Sequence, residues 1–218
     1  FRRAVVAAGS AAIVPPIPGL AEVPFLTNET LFALDAPPGH LVVVGGGPVG
    51  LEMAQAHARL GCRVTLIESA RIAGREDPEC IAPLRAALLE DGVALHEGAE
   101  VAAVSRDGPG IAVVLGDGTR IPGTHLLLAV GRAPRLAGLG LDAGGIAHSP
   151  RGIATTRALR STTNRRVWAA GDIADPEGLG PRAFTHVCSQ HAGIIARAML
   201  FRLPAHLSYD ALPRVTYT

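Results

Sequence analysis

Residues 41–71, LVVVGGGPVGLEMAQAHARLGCRVTLIESAR, constrain the fold more than any other stretch of the chain. Leu41–Val44 is a short apolar run rich in β-branched residues, the composition of a strand buried on both faces of a parallel sheet. It halts at Gly45-Gly46-Gly47-Pro48-Val49-Gly50, and a helical pattern follows with Val49, Met53, Ala56 and Leu60 on one face. Gly61 closes that helix, and a second strand, Arg63–Ile67, runs into Glu68. The stretch is a βαβ unit with GxGxxG at its first turn and an acid at the end of its second strand.

Each of these residues has a physical role. Gly45 permits the tight turn out of the strand, Gly47 lets the backbone approach a pyrophosphate, and Gly50 lets helix and strand pack closely. Pro48 and Val49 open the helix, whose N–H groups and positive dipole end face the phosphates. Such a dipole stabilises an anion by roughly 0.3–1 kcal/mol, so it assists binding without accounting for it alone. Glu68 lies where an acid accepts hydrogen bonds from an adenosine ribose, about 20 residues past the glycines. Strand, turn, helix and acid together define a dinucleotide site. A 2′-phosphate about 4 Å from the Glu68 carboxylate would meet repulsion of order 4 kcal/mol at an effective dielectric near 20, which predicts NAD(H) over NADP(H). Arg71 and Arg75 are the residues that would reverse this choice by folding onto a 2′-phosphate; the other reading of both is a solvated loop.

With 48% hydrophobic and 18% charged residues, 218 residues suffice to bury a core in one or two domains. The net charge of +1 gives no reason to expect nucleic acid or an anionic membrane as partner. All 20 basic residues are arginine, so these residues supply neither a Schiff-base lysine nor a Walker-type phosphate loop. No apolar run approaches the length of about 18 residues that a membrane helix needs. The three cysteines, Cys62, Cys80 and Cys188, are far apart and odd in number, which fits a reducing, cytoplasmic compartment. The start at Phe1 within three residues of an apolar strand, and the strand-like end Val215–Thr218, read as the ends of a piece of a longer protein.

Elsewhere, Ala4–Ala8 reads as a strand meeting Gly9-Ser10, followed by an extended proline-rich connector through Gly19. Leu26–Ala36 reads as a short helix capped by Thr27 or Asn28. A helix is expected over Cys80–Glu90 with Ile81, Leu84, Ala87 and Leu88 on one face, then a strand over Val93–His96. Val101–Ser105, Ile111–Leu115 and Thr119–Ile121 predict an antiparallel meander turning at Asp117-Gly118. Leu126–Val130 returns as a buried strand ending in Gly131-Arg132, and Leu136–Arg151 reads as glycine-rich loop. Arg166–Ala170 is a further apolar strand ending in Gly171-Asp172. Phe184–Phe201 reads as a long helix with Val187, Ile194, Ile195, Ala198 and Leu200 available for burial. His186 and His191 invite a metal or acid–base role, but neither has a partner at ligand spacing. Cys62 reads as a small residue at a helix–strand junction, Cys80 as a helix-start residue and Cys188 as a core position of the last helix.

Taken together, these motifs resemble those of the pyridine nucleotide-disulfide oxidoreductases, the flavoenzyme family that includes dihydrolipoyl dehydrogenase, mercuric reductase and glutathione reductase. VVAAGS with PPIPG at 5–19 resembles the family's ATGS strand and connector, with Ala8 in place of Thr. GGGPVGLE at 45–52 is similar to its NAD-domain fingerprint, and AVGRAP at 129–134 to its GRxPN turn, with Arg135 in place of Asn. VWAAGD at 167–172 resembles the second flavin-domain signature, with FTHV following at 184–187, and LPRVTYT at 212–218 resembles the entry to the dimerisation domain.

The resemblance implies an α/β fold: a Rossmann-like NAD-binding domain, parallel sheet plus antiparallel meander, inserted in a partial FAD-binding domain. Residues 1–25 and 156–218 would be FAD-domain segments and 26–155 the NAD domain. It implies FAD and NAD as cofactors, with Gly9, Gly171 and Asp172 at the flavin, Asp172 on its ribityl chain, and Glu52 beside nicotinamide and flavin. The helix starting near Thr185 would point its N-terminus at the flavin ring. Gly131 and Arg132 would lie near the nicotinamide cofactor, with a structural ion pair as the other reading of Arg132. The family's first flavin motif and CxxxxC disulfide would precede Phe1, and its His-Glu pair would follow Thr218, so no catalytic residue is expected here. None of the three cysteines can stand in for the disulfide. The implied activity passes hydride between NAD(H) and FAD and on to a disulfide or dithiol, as in dihydrolipoyl dehydrogenase, in a homodimer. The alternatives are a mercuric reductase, to which REDPE at 75–79 is similar, a disulfide-free NADH oxidase or ferredoxin reductase, and a non-catalytic NAD-binding module.

Overall fold

The structure is a computed structural model that describes residues 2–218; Phe1, where the first expected segment begins, lies outside them. Along the chain, strands β1 (Ala4–Val6), β2 (Ser10–Ala12) and β3 (His40–Val44) precede helix α1 (Pro48–Arg59). Then come β4 (Arg63–Glu68), α2 (Pro78–Glu90), β5 (Ala94–Glu97), β6 (Val101–Asp107), β7 (Gly110–Leu115), β8 (Arg120–Gly123) and β9 (His125–Leu128). The rest comprises β10 (Arg132–Pro134), β11 (His148–Ser149), β12 (Gly152–Thr155), β13 (Val167–Ala169), β14 (Ala174–Pro176) and α3 (Thr185–Met199).

The chain forms two compact units, one of Ala12–Gly131 with Arg214–Thr218 and one of the residues up to Ala11 with Arg132–Pro213. These limits differ from the boundaries expected at 25/26 and 155/156. Leu20 and Val23, with Ile17 and Phe25 beside them, pack into the core of the first unit. Leu141 and Ile153, with Leu136 and Ile146 beside them, pack into the core of the second. Apolar burial, rather than proximity to a motif, decides which unit a connector joins.

In the first unit a four-stranded parallel sheet has the order β5-β4-β3-β9. Alternation along β3 feeds two cores. Leu41 and Val43 point to the helices and join Leu51, Ala54, Ile81 and Leu88. Val42 and Val44 point to the opposite face and join Val104, Ile111, Val113, Leu115 and Ile121 of the antiparallel β6-β7-β8 meander. A strand covered on both faces has no polar side, which is why Leu41–Val44 carries no polar residue.

Three local expectations are corrected. Residues 26–36 form no α-helix; Leu26 bridges Leu127 and only Leu31–Ala33 coil, as a single 3-10 turn. The buried face of α1 is Gly50, Leu51, Ala54 and Gln55, whereas Ala56 is exposed and Leu60 is 70% exposed. Gly50 belongs to that face because, without a side chain, it comes up against the Gly45 carbonyl. Cys188 is exposed rather than a core residue, while Cys62, between α1 and β4, is buried; all three cysteines are free thiols.

The second unit pairs β1 with β13 and β12 with β14 in parallel. Its core holds Trp168, Ile153, Leu159, Ile173 and Ile195. Helix α3 buries Val187, His191 and Ile195, one residue per turn on one face, and Leu200 lies outside it, exposed. His191 is fully buried. Its Nδ1 accepts the Gly171 N–H at 3.1 Å, which leaves the proton on Nε2, 3.0 Å from the Tyr209 hydroxyl. Burial lowers the His191 pKa to about 4 and raises that of Tyr209 to about 12.

A histidine whose pKa is lower folded than unfolded costs stability as pH falls from its ordinary value of 6.5 toward 4. Trp168, the single tryptophan, lies in this core and reports it. Its fluorescence in denaturant titrations is expected to show a stability loss of about 2 kcal/mol between pH 6.5 and 5, above the range of ordinary carboxylates. His191→Gln should flatten that slope, and a slope unchanged by the substitution would mean that another group titrates.

Candidate functional site

The site is built at the carboxyl ends of β3 and β4. Gly45 has φ 112°, a conformation open to glycine, and a Cβ there would stand 2.5 Å from the Ala129 carbonyl oxygen. At Gly50 a Cβ would run into the Gly45 carbonyl oxygen, so strand and helix meet backbone to backbone. Gly47 differs from both: its φ is −79° and a Cβ would meet nothing within 4 Å. Neither backbone strain nor packing explains a glycine at 47. The space in front of this helix start is clear. The first helical bond runs from Leu51 N–H to Gly47 O at 3.0 Å. Pro48 has no N–H to offer, so the donors of this turn are the N–H groups of Val49 and Gly50.

Glu68 closes β4 and is stapled to this turn. Its Oε2 accepts the Gly46 N–H at 2.7 Å, and its Oε1 accepts the Ala70 N–H at 2.9 Å and the Ser69 hydroxyl at 3.2 Å. A carboxylate offers about four lone-pair sites, so by count roughly one stays open for a ribose hydroxyl. A second ribose bond would displace the long one from Ser69. Gly46 was not singled out in the sequence, yet its glycine is needed: a Cβ would stand 3.0 Å from the Glu68 Cβ and from Ile72 Cγ2. The signal was present, since GGG holds one glycine more than GxGxxG requires.

Among the remaining residues of this unit, Glu52 is half-buried on the first turn of α1, and its Oε1 accepts the Tyr217 N–H at 3.0 Å. Gly131 has φ 137°, and its carbonyl accepts the Ile13 N–H at 3.0 Å. Arg71 and Arg75 are exposed, and Arg71 Nη2 donates to the Gly74 carbonyl at 3.3 Å.

In the second unit, Asp172 and Arg132 meet through one residue the sequence did not flag, Ser10. The buried Ser10 hydroxyl donates to Asp172 Oδ2 at 2.5 Å and accepts from Arg132 Nε at 2.7 Å. Arg132 Nη2 and Arg135 Nε both donate to the Ser10 carbonyl, at 2.7 and 3.2 Å. Arg132 thus donates to both the hydroxyl and the carbonyl of Ser10. Gly9 and Gly171 have φ of 66° and 71°, and a Cβ at Gly9 would meet nothing within 4 Å. His191 holds the Gly171 N–H, a role hidden in the sequence because it places a polar residue on an apolar helix face. Cys188 is exposed, but partial desolvation of its sulfur, with the charge of Asp172, pushes the thiol pKa up, away from thiolate chemistry. His186 Nε2 lies 3.0 Å from the Pro213 carbonyl. Among the described residues no group of three or more His, Cys, Asp or Glu is arranged to hold a metal ion, and no helix is long and apolar enough to cross a membrane.

A glycine-rich turn and an acid at the carboxyl ends of parallel strands, with helices on one face and a meander on the other, define a Rossmann-like α/β protein. The chain belongs to the pyridine nucleotide-disulphide oxidoreductase family, whose model matches residues 1–193. It is 40% identical to a mercuric reductase of Streptomyces lividans over 98% of this chain and 45% of that protein. It is 35% identical to a mercuric reductase of Bacillus cereus over 100% of this chain and 34% of that protein. The chain thus spans less than half the length of these relatives. Among solved structures it is similar to a Cu(II) complex of the HOCl-induced flavoprotein disulfide reductase RclA from Escherichia coli. That match has a TM-score of 0.85 and 28% identity, and covers 94% of this chain and 46% of that one. LpdA from Mycobacterium tuberculosis is similar with a TM-score of 0.83 and 30% identity, over 98% of this chain and 46% of that one.

Gly47→Val and Gly50→Val separate binding from folding. Gly47→Val is expected to leave the first unit folded, at a cost of about 1 kcal/mol for losing a glycine cap, while abolishing NADH binding. Gly50→Val should lower the unfolding midpoint by the roughly 1–3 kcal/mol typical of overpacking. Denaturant titration and nicotinamide fluorescence check both; NADH affinity retained in Gly47→Val would place the coenzyme elsewhere.

Proposed function

We propose that the first unit binds NAD(H), and that the whole protein is an FAD-dependent enzyme passing hydride between NAD(H) and FAD. The observation that carries this is the open backbone at Gly47 beside the Val49 and Gly50 N–H groups, with Glu68 fixed to the same turn. The pyrophosphate would lie against Gly45, Gly47, Pro48, Val49 and Gly50, and the adenosine ribose at Glu68. Glu52 and Gly131 would serve the nicotinamide end. FAD, when bound, supplies the two-electron exchange. In the second unit Gly9, Gly171 and Asp172 are the residues that would hold it. Asp172 carries its charge into a site already ordered by Ser10 and Arg132.

The net reaction would be NADH plus a proton plus a disulfide giving NAD⁺ plus a dithiol, or its reverse with a dithiol substrate. A second reading, reduction of a soft metal ion held by thiolates, is favoured by the similarity to mercuric reductases. In both, this chain's residues bind and orient the coenzyme and exclude water, and the redox cysteines come from elsewhere in the protein.

The full gene product titrated anaerobically with NADH tests this. A long-wavelength thiolate-to-flavin band after two electrons is the expected result, and flavin bleached without it would indicate a disulfide-free reductase. Turnover with lipoamide or with Hg(II) then separates the two readings. Glu68→Ala should narrow the preference for NADH over NADPH, within the roughly 4 kcal/mol of the charge repulsion; an unchanged ratio would remove Glu68 from the ribose.

A further inference from the structure

The chain that follows Glu68 is held by the end of β5. Glu97 closes β5 opposite Glu68 in the parallel register. Beyond that pair both strands have ended, yet the pairing goes on: the Ala99 N–H donates to the Glu68 carbonyl at 3.1 Å and the Gly98 N–H to the Ala70 carbonyl at 2.8 Å. The next rung is made by a side chain. Glu97 Oε1 accepts the Ile72 N–H at 2.8 Å, so residues 97, 98 and 99 hold residues 72, 70 and 68. Arg85 of α2 fixes the carboxylate in that place, Nε to Oε2 at 2.7 Å and Nη2 to Oε1 at 2.9 Å. A two-pronged arginine grip of this kind sets direction as well as position.

The residues gripped in this way are those that orient the Glu68 carboxylate. Ala70, whose carbonyl is on Gly98, donates its N–H to Glu68 Oε1 at 2.9 Å. Ala73, next to the Ile72 rung, donates to the Gly46 carbonyl at 2.8 Å, and the Gly46 N–H holds Glu68 Oε2 at 2.7 Å. Ile72 and Ala73 are both buried, and Ala73 takes the left-handed φ of 45°, which an alanine keeps only where its neighbours impose it. Removing the Glu97 carboxylate would leave the Ile72 N–H a buried donor without its acceptor, a state that a chain relieves by moving. The movement would fall on residues 70–73, and through them on both oxygens of Glu68.

We infer that Glu97 is a positioning residue for the adenosine end of the coenzyme: by holding the Ile72 N–H it fixes the loop whose N–H groups aim the Glu68 carboxylate at the ribose. This rests on the reading of the Gly45–Glu68 turn as the adenosine end of an NAD(H) site. Two carboxylates on neighbouring strands then divide the work. Glu68 accepts from the ribose, and Glu97, clamped by Arg85, keeps Glu68 turned toward it.

Dissociation constants of the chain for NADH and for NADH lacking the 2′-hydroxyl of its adenosine ribose, measured by nicotinamide fluorescence, test the inference. The unmodified chain should prefer NADH. Glu97→Ala should narrow that preference about threefold to tenfold, the scale of one hydrogen bond, by weakening NADH more than its deoxy analogue. In a chain that already carries Glu68→Ala, adding Glu97→Ala should leave the ratio unmoved. A purely structural role for Glu97 would weaken both coenzymes alike, and that result overturns the inference; so does a change of ratio that survives without Glu68. Should Glu97→Ala fail to fold, Arg85→Ala decides on the same measurement, because it keeps the carboxylate but frees it from α2. Its ratio should narrow in the same direction, and an unchanged ratio there overturns the inference while leaving the site standing. An unmodified chain that binds no NADH, or binds it no better than the deoxy analogue, would overturn the reading of the site and the inference with it.

Discussion

The backbone-to-backbone approach of Gly50 to Gly45 is the contact on which the first unit depends. It brings the start of α1 against the end of β3, where a side chain at 50 would strike a carbonyl oxygen. From it follow the buried face of α1, through Leu51 and Ala54, and the position of the helix start at the carboxyl end of the sheet. At that point the helix can come this close because Gly50 has no side chain to strike the Gly45 carbonyl.

Around this turn the polar groups form one connected system. Gly46 gives its N–H to Glu68 and its carbonyl to Ala73, so the glycine turn, Glu68 and the following loop are three parts of one hydrogen-bonded ring. Ordering these groups before a coenzyme arrives removes part of the entropic cost of binding it. The second unit is ordered on the same principle at Asp172, whose carboxylate meets Arg132 through the Ser10 hydroxyl, while His191 fixes the preceding Gly171 N–H. His191 does this as a neutral base, because a charged imidazolium there would be buried without an anion.

Much of the candidate site's local geometry was legible in the residues themselves. Gly45, Gly50 and Glu68 sit within a single βαβ unit, and their demands are local: a positive φ, a close approach, an acid at a strand end. The meander at 101–123 was equally plain, since alternating apolar residues and Asp117-Gly118 act over a few residues. The face of α1 was misread, because alanine-rich helices carry weak apolar contrast and the deciding residue was a glycine. Residues 26–36 looked helical by composition, but Leu26 found a strand partner 101 positions away at Leu127, and that contact overrode propensity.

The sequence by itself determined the elements, the glycine turn and the acid, because each follows from backbone sterics or periodicity over fewer than about 30 residues. Only the tertiary structure decided that Ser10 joins Arg132 to Asp172, that Glu97 holds Ile72 and Arg85, and that a fully buried histidine holds Gly171. These partners are polar residues whose hydrogen bonds span from 12 to 162 positions, and no local pattern announces them. Their pairing arises when the apolar cores bring distant strand ends together, where an unmatched polar group would be costly and a matched one is fixed in place.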